Sequence, residues 1–117
     1  MRRLFLIVLL CTPAVSWAMS VAFVNPGKSD EVYWLTAARA MQAAADRLGV
    51  RLEVHYTERQ HLRAFDIARE LVARPPEKRP LYVIFSNDYG TGPELLRLFD
   101  GSGIKVMMAF SRPLKNA

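Results

Sequence analysis

Val21-Ala22-Phe23-Val24, then Asn25-Pro26-Gly27-Lys28-Ser29-Asp30-Glu31, then Val32-Tyr33-Trp34, is the stretch whose reading decides the fold. It reads as a strand, a loop and the start of a helix. Four apolar or β-branched residues suit a short buried strand, Pro26-Gly27 ends it, and Ser29, Asp30 and Glu31 bring capping oxygens and negative charge to a helix N-terminus. In a parallel sheet this loop falls at the carboxyl end of the first strand, where open α/β sheets bind ligands. The stretch points to a binding site before it points to a reaction.

Downstream, 31–48 is patterned as an amphipathic helix: Trp34, Ala37, Ala38, Met41, Ala44, Ala45 and Leu48 recur at three and four, and Gly49 stops it. Residues 51–56 alternate, with Leu52, Val54 and Tyr56 on one face and Arg51, Glu53 and His55 on the other, which predicts an edge strand with one wet face. A second helix is expected over 60–74, burying Leu62, Phe65, Ala68, Leu71 and Val72, with Arg63, Asp66, Arg69, Glu70 and Arg74 outward at ion-pair spacing. Pro75-Pro76 end it. The continuous apolar run 81–85, Leu-Tyr-Val-Ile-Phe, predicts a central strand buried on both faces. The polar loop 86–92 follows, then a short helix opened by Pro93 and Glu94, and a fourth strand over 104–110.

The alternation βαβαβαβ predicts an α/β domain of three layers with an all-parallel sheet. Helices on both faces require the winding to reverse once, and the simplest strand order is 2-1-3-4. The reversal lies between 21–24 and 81–85. Loops 25–31 and 86–92 then face each other across the crevice.

Upstream, Arg2 and Arg3, the apolar run 4–10 and Ser16-Trp17-Ala18 have the order of a secretory signal, so residues 1–18 are expected to be removed. The apolar run is shorter than the ~20 residues a membrane span needs. A lipoprotein anchor at Cys11 is the alternative, opposed by Leu10 where a small residue is expected. Removal of 18 of the 117 residues leaves 99, one domain over 19–110 with a tail at 111–117. Cys11 is the single cysteine and leaves with the signal, so the mature chain offers no disulfide, thiol nucleophile or thiolate metal site. The net charge of +5 falls to +3 without Arg2 and Arg3, and the basic residues are scattered, which argues against nucleic acid as a partner.

No catalytic constellation emerges. Gly27-Lys28-Ser29 resembles the end of a phosphate-binding loop, but Ala22 stands where that motif wants its first glycine. His55 and His61 lack the spacing and partners of a zinc site and read as surface residues. Ser86 and Ser111 lack the setting of a nucleophile elbow. No cofactor or metal is expected.

Taken in order, Val21-Ala-Phe-Val-Asn-Pro26, the aromatics Tyr33-Trp34, Ala43-Ala-Ala-Asp-Arg-Leu-Gly-Val50, and Pro93-Glu-Leu-Leu-Arg-Leu-Phe99 before Gly103-Ile-Lys-Val106 resemble the type 1 periplasmic binding proteins, sugar and autoinducer-2 receptors among them. The resemblance covers nearly all of the chain after 18. It implies the N-terminal lobe of a two-lobed receptor that closes on a sugar-like solute. It also implies that Tyr33 and Trp34 stack on the ligand ring, that Asp30 or Glu31 bonds its hydroxyls, and that Asn87 and Asp88 contribute from the loop after the third strand. Ser111 and Arg112 fall near the first hinge crossing. The family would cross into a second lobe just after the fourth strand, so a truncated product is expected. The partners implied are a small polar solute and the permease of an ABC transporter, or alternatively a membrane sensor kinase. The location implied is the periplasm.

Overall fold

A computed structural model describes residues 19–109. The expected signal segment 1–18 with Cys11, the last residue of the expected fourth strand and the tail with Ser111 and Arg112 lie outside the described residues. Strands β1 (Met19–Asn25), β2 (Val50–Tyr56), β3 (Tyr82–Phe85) and β4 (Lys105–Met108) alternate with helices α1 (Val32–Leu48), α2 (Arg63–Ala73) and α3 (Gly92–Phe99). All pairings are parallel, and the order is β2-β1-β3-β4. The expected reversal between β1 and β3 is therefore present.

The pleat sorts the side chains into two faces. Ala22, Val24, Val83 and Phe85 face Ala64, Ala68 and Leu71 of α2 and Leu95 and Phe99 of α3, and these residues with Ile104 form the main core. The opposite face carries Phe23 and Asn25, both fully buried, on the side of α1. Small residues on α2, Ala64 and Ala68, let it lie close to the sheet, and both are buried.

Several expected details differ. α1 packs mainly over β2, so the expected stripe is only partly covered: Ala38 and Ala45 are buried, whereas Ala44 is exposed and Leu48 is 73% exposed beside the left-handed Gly49 cap. The β3 run is central, as expected, but not buried on both faces. Val83 and Phe85 are closed in by α2 and α3, while Tyr82 and Ile84 on the α1 side are half-buried. Leu62 is exposed because α2 begins at Arg63 rather than at 60. The polar face of β2 is not simply wet, since Arg74 bridges Glu53 at 2.9 Å and Glu70 at 2.8 Å. His55, expected at the surface, is half-buried with Nε2 3.7 Å from Glu53.

Candidate functional site

Three loops leave the carboxyl ends of β1, β2 and β3 on the same side of the sheet, and hydrogen bonds tie the first two together. Thr57 N–H donates to the Asn25 carbonyl at 2.9 Å, Thr57 Oγ1 donates to the Pro26 carbonyl at 3.0 Å, and Glu58 N–H donates to the Gly27 carbonyl at 3.1 Å. Asn25 organises the first loop from within. Its amide donates to the Trp34 carbonyl at 3.1 Å and its Oδ1 accepts the Gly27 N–H at 2.9 Å, so a fully buried polar side chain is satisfied at both ends.

Glu31 caps α1 by position only, with no side-chain cap bond. Its carboxylate instead accepts both Nε and Nη2 of Arg59 and the Lys28 N–H, a bidentate pair between the first and second loops. The Glu31 charge, expected to serve the helix end, serves the joint between loops, because a guanidinium fork matches a carboxylate better than a helix amide does. The Arg59 guanidinium, with the Lys28 amide beside it, holds the Glu31 carboxyl at about 2, below its ordinary 4.5. As pH falls, the unfolded chain takes up this proton first. The pair's stabilisation is therefore complete above about 4.5 and is lost progressively toward pH 2. Carboxyl NMR should find Glu31 titrating near 2, and Arg59→Ala should return it to the ordinary range. A Glu31 midpoint near 4.5 in the intact protein would contradict the pairing.

In the third loop, Ser86 Oγ donates to Asp88 Oδ2 at 2.6 Å, Thr91 Oγ1 donates to the Asp88 carbonyl at 2.8 Å, and Asn87 Oδ1 accepts the Gly92 N–H at 2.7 Å. Between the second and third loops lies a cavity of about 230 Å³ lined by Val24, Pro26, Thr57, Arg59, His61, Ala64, Phe85, Ser86, Asp88, Tyr89, Thr91 and Leu95. Among the described residues, three non-glycine positions have positive φ: Glu58 at 56°, Arg59 at 64° and Tyr89 at 52°. Arg59 and Tyr89 line this cavity and Glu58 adjoins it. Left-handed backbone at non-glycine residues costs about 1 kcal/mol or more each, and such positions gather where a site is held in shape.

The six residues singled out from sequence all lie at this end of the sheet, in different relations to the cavity. Asp88 lines it, and Glu31 reaches it through Arg59. Asp30 is exposed on the first loop, and Tyr33 is 65% exposed. Trp34 meets Tyr33 edge to face, with ring centres 4.9 Å apart, and its ring lies against Gly27. Asn87 is turned to the start of α3. Arg59, His61, Tyr89 and Thr91 line the cavity and were not among the six. His61 and Tyr89 belong to different loops, and their ring contact, with centres 4.9 Å apart, exists only in the folded chain.

The chain superposes on the crystal structure of a periplasmic sugar-binding protein from Pseudomonas fluorescens with a TM-score of 0.76 and 39% sequence identity. The chain has the fold of a periplasmic-binding-protein-like lobe. The match covers 81% of this chain and 28% of that protein, so the lobe spans little more than a quarter of the relative's length. No protein-family model and no curated protein matches the chain. In the lobe, the tied loops after β1 and β2 and the loop after β3 are the surface available to a solute, at the point where the winding reverses.

Proposed function

We propose that this lobe supplies one wall of the binding cleft of an exported solute-binding protein, for a sugar or related polyhydroxylated molecule. The carrying observation is the cavity at the reversal point, rimmed by rings, a carboxylate and a guanidinium, in a lobe 39% identical to a periplasmic sugar-binding protein. Asp88 accepts ligand hydroxyls directly, Asp30 on the first loop and Tyr33 at the start of α1 meet the ligand, and Glu31, Trp34 and Asn87 hold the loops in place. The setting is the periplasm, reached by removal of residues 1–18, with delivery to the permease of an ABC transporter. Genomic neighbours encoding a sensor kinase instead of a permease and ATPase would favour the signalling alternative.

At about 230 Å³ the cavity is smaller than the ~300–1,000 Å³ of pockets that enclose a drug-sized ligand. That size fits one wall facing a second lobe. The chain alone is expected to bind monosaccharides no more tightly than millimolar, near −4 kcal/mol. Calorimetry of the purified chain checks this, and micromolar binding would show that one lobe suffices. Mass spectrometry of periplasmic material should find a chain beginning at Met19.

A further inference from the structure

We infer that His61 and Tyr89 form a stacking platform for the ligand ring, an aromatic contact separate from Tyr33 and Trp34. The inference rests on the solute-binding reading and assigns the residues that take the ring face. Tyr89 is 80% exposed, so burial does not account for its position. Its ring nevertheless lies on His61 at a 35° tilt, and its backbone is held at φ 52°, a conformation a tyrosine does not favour. Both residues line the same cavity as Asp88 and Arg59.

Trp34 is less suited to this task, because its ring lies hard against the Gly27 backbone. Tyr33 meets it edge to face and lies outside the cavity lining. The apolar C–H face of a pyranose or furanose can instead cover the Tyr89 ring, with its hydroxyl rim directed at Asp88 and at the Arg59 guanidinium. The charges select for a neutral ligand. Glu31 neutralises Arg59, and the Asp88 carboxylate adds a negative charge that disfavours an anion. The platform thus takes neutral monosaccharides in preference to sugar acids.

The test is an amide NMR titration of the full chain with D-glucose, D-galactose, D-ribose and D-xylose, each to roughly 200 mM because single-wall affinity is millimolar or weaker. D-gluconate serves as the anionic counterpart. The expected result is sugar-dependent shifts concentrated in 58–61 and 86–91, with little response to gluconate. Tyr89→Phe should keep the response, and Tyr89→Gly should weaken it about fivefold to tenfold, a loss on the scale of one aromatic contact. Tyr89→Gly relieves the left-handed strain, so its melting temperature should be unchanged or higher, which separates lost stacking from lost folding. Shifts confined to 30–34, or an unaltered response in Tyr89→Gly, overturn the platform and leave the solute-binding reading intact. No shift with any of the four sugars overturns the solute-binding reading and the platform with it.

Discussion

Replacing Phe85 by Ala is expected to destabilise the lobe by about 3–5 kcal/mol, the usual cost of removing a large aromatic from a packed core. Phe85 is 1% exposed at the carboxyl end of β3, within the cluster that joins β1 to α2 and α3. It also lines the cavity beside Ala64 and Leu95, so the space it leaves opens toward the site. A domain of roughly 90 residues has a total stability of about 5–13 kcal/mol. The variant should therefore lose about a quarter or more of its stability and drop in melting temperature by about 15 °C or more. Urea unfolding monitored by circular dichroism measures the loss. A change below about 1 kcal/mol would mean that the cluster is not the principal core.

Gly27→Ala is expected to have the next largest effect, about 3 kcal/mol of destabilisation through overpacking. A Cβ at this position would stand 2.1 Å from Trp34 Cδ1, 2.2 Å from Cγ and 2.6 Å from the Trp34 Cβ. Because Trp34 Cβ is itself among the obstructing atoms, no rotation of the ring relieves the contact, and the loop or the start of α1 has to move. Movement would strain the Asn25 bonds to Gly27 and to Trp34, which are buried or nearly so. The same unfolding measurement applies, with Trp34 fluorescence as a second probe of the loop. Wild-type stability in Gly27→Ala would show that the ring does not occupy the place described.

Much of the architecture was legible because periodicity and breakers are local signals. The apolar residues 21–24 and the run 81–85 marked the two central strands, Gly49 and Pro75-Pro76 marked helix ends, and the alternation made 2-1-3-4 the simplest order, which is the order found. The resemblance to periplasmic binding proteins, carried by Tyr33-Trp34, 43–50 and 93–106, agreed with the structural relative. Burial was less legible. Leu48 and Leu62 have the right spacing for a core stripe yet are exposed, since spacing gives a helix a face but does not determine how far a sheet extends beneath it.

The candidate site divides along the same line. From the sequence alone came the loops that would meet at the winding reversal, because loop positions follow from strand order, and the resemblance to periplasmic binding proteins singled out Asp30, Glu31, Tyr33, Trp34, Asn87 and Asp88 on them or at the start of α1. Tertiary structure alone decided how those residues are used: Glu31 engaged by Arg59 across 28 positions, Trp34 laid on Gly27, and Asn87 turned to Gly92. It also brought His61 to Tyr89, two residues that no pattern links. The physical reason is that propensity and periodicity act over a few neighbouring residues. Bidentate ion pairs, ring contacts and left-handed backbone at Arg59 and Tyr89 arise only when distant loops are brought within a few ångströms, where the gain from packing and hydrogen bonding exceeds each loop's local preference.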